Sequence, residues 1–249
     1  MGSFRDHYSE GAANYRRSRP SYPAALIDWL AAFAGGRALA WDAGCGSGQL
    51  SVPLASAFER VVASDASPEQ VRVGRVHPRV HYRVARSDES GLPDAVADLS
   101  VAAQAAHWFD LDAYFTEVRR VARPDSGVAL VTYGRPRLTA DLDGLLEHLH
   151  TVELAPFWPE ERRHVEERYQ SLPFPFGEVA VPELEMTHRW DLTRFRGYVE
   201  SWSAVRAWRA REGDEGLVRF SEALAEGWRE PDEPREVRWP ISVRAGRCV

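Results

Sequence analysis

The sequence contains no lysine, only two cysteines and no long apolar run. Without lysine, the chain cannot supply the Gly-Lys-Ser/Thr end of a P-loop. Cys45 and Cys248 lie near opposite ends of the chain, which excludes a disulfide framework and favours a reducing compartment. No stretch reaches the ~18 apolar residues of a membrane span. We therefore expect a cytoplasmic protein with no membrane partner.

Charge of one sign is also not concentrated anywhere. The 31 arginines and 37 acidic residues give a net charge of -6, and no block of five like charges occurs. A nucleic-acid partner is therefore not expected. The eight histidines lack partners at metal-ligand spacing, so we also expect no metal. A composition of 44% apolar and 27% charged residues is typical of a globular protein, and nothing in the sequence indicates its oligomeric state.

Helix-like and strand-like segments alternate from residue 20 to residue 133. Strands separated by helices pair in parallel through right-handed crossovers, with ligands at their carboxyl ends. The pattern therefore predicts an α/β fold with a doubly wound sheet. Residues 184–190 and 236–243 are expected to add a hairpin-like antiparallel end. The predicted strands before that end are 37–42, 60–65, 80–85, 98–104 and 128–133.

The whole chain, 1–249, is predicted to form a single domain. We divide it into an N-terminal cap (1–22), a sheet core (23–133 and 184–247) and a helical, aromatic-rich region on the substrate side (about 134–183). Helices within 191–230 are expected to pack nearby. Pockets combine apolar walls with a few polar anchors, so part of the aromatic-rich region could form the roof of a ligand site.

A glycine-rich loop, Asp42-Ala-Gly44-Cys-Gly46-Ser-Gly48, joins the first predicted strand to a helix. Glycines permit positive φ and let backbone N–H groups approach a ligand, and the following helix offers its positive end. The dinucleotide fingerprint would need a glycine where this chain has Gln49. The loop therefore indicates a nucleoside without pyrophosphate, with Asp42 available to pair with a cationic amine.

Two further acids follow the next two strands. Asp65 ends the second strand, close to the ~20-residue spacing at which a carboxylate reads ribose hydroxyls. Asp88 follows the third strand, with Ser87 beside it. It could accept a hydrogen bond from the exocyclic amine of adenine, or it could be an ordinary loop aspartate.

These motifs together resemble the class I S-adenosylmethionine-dependent methyltransferases. The segments 15–23, 104–110 and 132–134 resemble the small-molecule branch related to the trans-aconitate methyltransferases, and the likeness covers most of residues 4–247. It implies a seven-stranded, mostly parallel sheet in a Rossmann-like methyltransferase fold, whose last strand is antiparallel. It also implies S-adenosylmethionine as the cofactor, bound across the strand ends.

Residue by residue, the resemblance implies that the three loop glycines face the methionine moiety of the cofactor. Asp65 would contact the ribose, Asp88 the adenine amine and Gln104 the amino group. Arg19 would pair with the methionine carboxylate or be a surface residue. The predicted cofactor set is Tyr15, Arg19, Asp42, Gly44, Gly46, Gly48, Asp65, Ala66, Ser87, Asp88 and Gln104.

Methyl transfer from a sulfonium is an in-line displacement, and positioning and dehydration of the acceptor can supply most of its catalysis. A carboxylate acceptor needs no base, whereas a hydroxyl or an ammonium group must lose a proton. His107 is the candidate base or, with Trp108, an architectural residue, and Tyr133 is a secondary catalytic candidate. The predicted substrate contacts are His107, Trp108, Tyr133, Phe174 and Trp202.

The sequence thus predicts a methyltransferase that acts on an oxygen, nitrogen or carboxylate acceptor of a small apolar or aromatic metabolite, in specialised-metabolite biosynthesis. Two alternatives stay open because fold does not establish reaction. The bound sulfonium could serve a cyclisation or rearrangement. The chain could also be a non-catalytic module that binds the cofactor.

Overall fold

Seven strands form one sheet in the computed structural model, which describes residues 19–248, and their order is β3-β2-β1-β4-β5-β7-β6. Strands β1 to β5 pair in parallel, and β7 lies antiparallel between β5 and β6. The predicted doubly wound, seven-stranded fold is confirmed. The strands are β1 (Leu39–Ala43), β2 (Arg60–Asp65), β3 (Val80–Val84), β4 (Ala97–Ala103), β5 (Ala122–Tyr133), β6 (Leu184–Trp190) and β7 (Arg235–Arg247).

Helices connect the strands and cover both faces of the sheet. Short 3-10 turns lie at Ala106–Trp108, Ala155–Phe157 and Glu160–Arg162, and a π-helical turn at Leu149–Glu153. No helix among residues 19–248 is long and apolar enough to cross a bilayer. The α-helices are α1 (Ala24–Phe33), α2 (Ser51–Leu54), α3 (Pro68–Arg72), α4 (Leu111–Val121), α5 (Ala140–His148), α6 (Arg163–Glu166), α7 (Leu192–Glu200), α8 (Ser203–Glu212) and α9 (Glu215–Trp228).

Three helices begin at the side-chain caps that the sequence indicates. Ser67 Oγ accepts from the Gln70 N–H at 3.3 Å, Asp110 caps α4, and Asp191 caps α7. Each cap satisfies one backbone donor that the first turn leaves without a partner. At α3 the Ser67 and Gln70 spacing is that of a capping box, but only one half forms, because the Ser67 N–H donates to the Asp65 carboxylate at 2.9 Å.

Two predicted segments differ from the structure. Strands β6 and β7 pair antiparallel as expected, but residues 191–234 separate them, so they do not form a hairpin. The region 134–183, predicted as helical, contains only α5 and the four-residue α6 as α-helices, with short turns and two prolines, Pro156 and Pro159, between them. Proline lacks the N–H that a continuing helix needs and clashes with the preceding turn.

The core has two layers, one on each face of the sheet. Along β1, Ala40 packs in the cluster that includes α1 and α7 to α9, whereas Leu39 and Trp41 pack in the cluster that includes α4. This alternation is the period-2 geometry of a strand covered on both sides. Trp41 is fully buried, and its Nε1–H donates to Ser64 Oγ at 2.9 Å. The carboxyl ends of the parallel strands are held at one edge by this packing.

Candidate functional site

A cavity of about 400 Å³ opens at the carboxyl ends of the parallel strands. Its walls come from the residues that end or follow β1, β2, β3, β4 and β5, because parallel strands bring their ends to one edge. Among the predicted cofactor residues that the structure describes, those that line it are Arg19, Asp42, Gly44, Gly46, Asp65, Ala66, Ser87, Asp88 and Gln104. Tyr15 lies outside the described residues.

The glycine loop uses positive φ at each of its three glycines: +67° at Gly44, +54° at Gly46 and +89° at Gly48. A Cβ on Gly44 would lie 2.5 Å from the Ala105 Cβ. Gly48 does not line the cavity, so its contact with the cofactor stays a prediction. A Cβ there would lie 1.9 Å from the Tyr82 hydroxyl oxygen, so this glycine serves packing against β3.

Asp42 is buried at the end of β1 with one carboxylate oxygen facing no partner. The Ser51 hydroxyl donates to its Oδ2 at 2.5 Å, while Oδ1 makes no hydrogen bond to the described residues. Burial raises the Asp42 pKa to about 7, and the nearby Asp65 adds to the rise, which the hydrogen bonds from Ser51 oppose. A buried carboxyl group with an open acceptor is well suited to a cationic ligand group.

Asp65 ties the glycine loop to the end of β2. Its Oδ2 accepts from the Gly46 N–H at 2.8 Å, and its Oδ1 accepts from the Ser67 N–H at 2.9 Å. Asp65 also lines the cavity, and a carboxylate oxygen can accept from more than one donor. The same side chain can therefore hold the loop and contact a ligand.

Asp88 forms a bidentate ion pair with Arg86, which the sequence analysis did not single out. The Arg86 Nε–H donates to Oδ1 at 2.8 Å, and an Nη2–H donates to Oδ2 at 2.9 Å. The hydrogen bonds from Arg86 hold the Asp88 pKa below its usual value, so Asp88 stays an acceptor at neutral pH. The i, i+2 spacing of opposite charges after a strand was the available signal for this pair.

Gln104 has a positive φ of +55° directly after β4. Its Nε2–H donates to the Tyr133 carbonyl at 3.0 Å, and its Oε1 accepts from the Thr132 hydroxyl at 3.1 Å. The amide nitrogen is thus already bound to β5. The second lone pair of Oε1 is the part of this side chain left for the predicted contact with an amino group.

A smaller recess of about 50 Å³ adjoins the large cavity. Four residues line both spaces: Arg19, Gln104, Trp108 and Tyr133. They form the boundary at which a ligand in the cavity and a ligand in the recess would lie next to each other. The residues that line the recess alone are His107, Gly134, Arg135, Pro136, Trp158, Pro159, Arg162, Tyr198, Trp202 and Ser203. Trp158 belongs to the aromatic-rich region from which a roof was expected, whereas Arg135 and Arg162 were not predicted, because they lie on irregular segments whose turns carry no periodic signal.

His107 lies in the recess as a neutral imidazole. Its Nδ1 is 2.7 Å from the Tyr169 hydroxyl, and its ring packs against Trp108 with a centroid distance of 4.8 Å. Burial lowers the His107 pKa to about 3, and Arg162 and His164 add to this shift. An imidazole with so low a pKa accepts a proton poorly at neutral pH, which disfavours the predicted role of general base.

The remaining predicted substrate contacts divide between the recess and the opposite side of the sheet. Trp108, Tyr133 and Trp202 line the recess. Phe174 lines neither cavity, which corrects its predicted role in substrate binding. Its ring packs edge-on against Phe115 of α4, with 6.0 Å between the ring centroids. Both residues belong to the hydrophobic cluster that includes α4, on the opposite face of the sheet. Aromatic content alone did not distinguish a core residue from a pocket wall.

The chain is similar to known methyltransferases. A family model described as "Methyltransferase domain" matches residues 41–130. The chain is 34% identical over 183 residues to an uncharacterized methyltransferase of Mycobacterium bovis, covering 73% of the chain and 70% of that protein. A methyltransferase of Dictyostelium discoideum is 27% identical over 233 residues, covering 92% of the chain and 89% of that protein.

A solved structure from Anaeromyxobacter dehalogenans, described as a type II methyltransferase, is similar over nearly its whole length. It is 48% identical to this chain, with a TM-score of 0.87, and the alignment covers 93% of this chain and 98% of that one.

Proposed function

The chain belongs to the class I S-adenosylmethionine-dependent methyltransferases, and on that premise we propose that it methylates a small molecule bound in the recess. The acceptor atom is an oxygen, a nitrogen or a carboxylate of a small metabolite with apolar or aromatic character, made in specialised-metabolite biosynthesis. The observation that carries the proposal is the shared wall: Arg19, Gln104, Trp108 and Tyr133 line both the large cavity and the recess. The motifs at 104–110 and 132–134 support a position near the trans-aconitate methyltransferases.

We propose that S-adenosylmethionine binds in the large cavity with its adenosine along the ends of β2 and β3. Asp65 accepts from the ribose hydroxyls, Asp88 accepts from the adenine amine, and Ala66 and Ser87 complete this wall. The support is that all four residues line the cavity and that Asp88 keeps lone pairs for a ligand after its hydrogen bonds from Arg86.

The methionine part then lies over the glycine loop. Gly44 and Gly46 allow close approach of the backbone, and the open Oδ1 of Asp42 pairs with the ammonium group. Gln104 contributes its remaining Oε1 lone pair. Arg19, whose guanidinium is 3.5 Å from the Tyr133 hydroxyl, can pair with the methionine carboxylate at the boundary with the recess.

Catalysis in this arrangement comes from alignment and exclusion of water rather than from a basic side chain. The cofactor supplies an electrophilic methyl group, and the chain holds the acceptor atom against it in the aromatic recess. His107 stays neutral and offers a hydrogen bond that orients the acceptor. Its partner Tyr169 is fully buried, which fixes the plane of the imidazole.

Replacing His107 with asparagine tests this assignment. A general base contributes about 10²- to 10⁴-fold to turnover, so we expect the variant to lose less than about tenfold in kcat. The ratio of wild-type to variant kcat should stay constant from pH 5.5 to 8.5, because neither side chain titrates in that range.

The measurement is release of S-adenosylhomocysteine, followed by mass spectrometry with a panel of small acids, phenols and amines as acceptors. A kcat ratio that collapses toward one as the pH falls through 6.5 would restore the base role. Cofactor bound without S-adenosylhomocysteine release from any acceptor would contradict methyl transfer.

A further inference from the structure

The recess carries a concentration of positive charge in a chain that is acidic overall. Arg19, Arg135 and Arg162 line it, and its described lining contains no aspartate or glutamate. The net charge of the whole chain is -6. Glu147 and Glu166, which pair with Arg135 and Arg162, lie outside this lining, so the guanidinium groups are the charged groups in the described lining of the recess.

The arginines keep donors for a ligand after their protein contacts are counted. Arg162 donates from Nε–H to Glu166 at 3.2 Å, and no hydrogen bond to the described residues uses its two terminal amino groups. Arg135 uses one terminal amino group to bind Glu147. Neither glutamate lines the recess, so the remaining N–H donors are available to a ligand there.

Aromatic packing fixes Arg162 in place before any ligand binds. Its guanidinium lies over the Trp158 ring at 5.0 Å, and the Trp158 Nε1–H donates to the His150 carbonyl at 3.0 Å. The Trp158 ring also packs against the Trp202 ring, with 5.9 Å between the ring centroids. A planar guanidinium held in this way loses little freedom on binding, which favours recognition of a flat carboxylate.

Two buried histidines lie in the field of the same arginines. After burial, Arg162 is the next largest cause of the lowered pKa of both His107 and His150, and Arg135 contributes at His150. Both histidines therefore stay neutral at physiological pH. The arginines remain the charged groups that an acceptor meets in the recess.

The lining residues also indicate which end of a bound acceptor would be anchored and which end would lie near the cofactor. Arg135 and Arg162 line only the recess, whereas Arg19 and Tyr133 line both spaces. A group held by Arg135 and Arg162 therefore lies away from the boundary with the large cavity. The recess volume of about 50 Å³ is a few times the roughly 10–15 Å³ that one water needs on the same measure, so it has room for a group of a few heavy atoms.

We propose that Arg135 and Arg162 bind an anionic end group of the acceptor, so that the substrate is a small acid anchored at one end and methylated at an atom nearer the cofactor. This rests on the proposed function. The shared ligand chemistry is that of a carboxylate or a phosphate, and the size of the recess favours the carboxylate.

The test is a calorimetric titration of the protein saturated with S-adenosylhomocysteine. The probes are acetate, benzoate and phenylacetate, each compared with its primary amide, and phenyl phosphate as the phosphate probe. We expect at least one carboxylate to bind at least tenfold more tightly than its amide, and phenyl phosphate to bind more weakly than benzoate. Tighter binding of phenyl phosphate would assign the site to phosphate instead of carboxylate.

Matched variants locate the anion. Arg162→Gln and Arg135→Gln should each weaken binding of the acid at least tenfold. The affinity of Arg162→Lys for the acid should lie between the affinities of these variants and of the wild type. The controls are the exposed neighbours, Arg163→Gln and Arg137→Gln, which should change affinity less than twofold.

Three outcomes would overturn the anion site: amides that bind as tightly as acids, acids that bind the two arginine variants as they bind the wild type, or no binding of any probe. The titration with S-adenosylhomocysteine itself reports on the proposed function. If the wild type fails to bind S-adenosylhomocysteine, the proposed function fails. Intact cofactor binding with any of the three outcomes above removes the anion site alone.

Discussion

Replacing Asp42 with asparagine is expected to weaken S-adenosylmethionine binding at least 100-fold at pH 8 and, at the same pH, to raise the melting temperature by several degrees. Both effects follow from a buried carboxylate whose Oδ1 has no partner among the described residues. The carboxylate is costly to bury without a cation, and it pairs favourably with the ammonium group of the cofactor. Asparagine removes both the cost and the attraction.

The direction of the pH dependence follows from the raised pKa. The Asp42 pKa is about 7 in the folded protein, against 3.8 for an unperturbed carboxyl. Between these values the folded state binds a proton that the unfolded state has released, so stability falls as the pH rises from about 4 to 7 and is level above 7. A difference of this size corresponds to at most about 4 kcal/mol at about 1.4 kcal/mol per pKa unit.

The measurements are melting temperature and calorimetric cofactor affinity at pH 5 and pH 8, with the exposed Asp28→Asn as the control. The stability gain of Asp42→Asn should shrink at pH 5. Wild-type affinity should drop about tenfold per unit below pH 7, because a proton competes with the cofactor cation, while the variant should show no such slope. Equal affinities of variant and wild type at pH 8 would remove Asp42 from the site.

Replacing Asp65 with alanine is expected to cost about 100-fold or more in cofactor affinity and to lower stability as well. The change removes the proposed ribose acceptor and also the acceptor for the Gly46 and Ser67 N–H groups. A buried donor left without a partner costs about 1–3 kcal/mol, and less where water can reach it. Affinity and stability therefore fall together, unlike the opposed effects at Asp42.

Asp65→Asn separates the two contributions, because the amide keeps one acceptor oxygen for the loop. We expect its affinity and melting temperature to lie between those of the wild type and the alanine variant. Glu59→Gln, just before the amino end of β2, is the matched control and should leave both unchanged. Wild-type cofactor affinity in Asp65→Ala would show that the ribose assignment is wrong.

Local signals in the sequence predicted the α/β alternation, the glycine loop and the acids at the strand ends, whereas the seven-stranded sheet and the role of Gln104 came from the family resemblance. Buried strands, helix caps and a glycine loop each depend on a few neighbouring residues, so the sequence indicates them directly. Parallel pairing then brings the strand ends together. Gly48 shows the limit of this reasoning. Its positive φ could be expected from the loop, but its contact with Tyr82 depends on how β3 packs and is not visible in the loop sequence.

The recess could not be predicted in the same way. Arg135 and Arg162 lie on irregular segments about thirty residues apart in sequence, and only the tertiary packing brings them to one space. Phe174 is as aromatic as Trp202, yet it packs on the opposite face of the sheet. For His107 the position was inferable and the chemistry was not, because burial decides its pKa.

Titration calorimetry with S-adenosylmethionine and S-adenosylhomocysteine, with NADH as the control ligand, tests the central claim most directly. The glycine loop, the open oxygen of Asp42 and the acids at the ends of β2 and β3 predict that both sulfur nucleosides bind at one site per chain and that NADH does not. Binding of NADH alone, or of none of the three, would contradict the account.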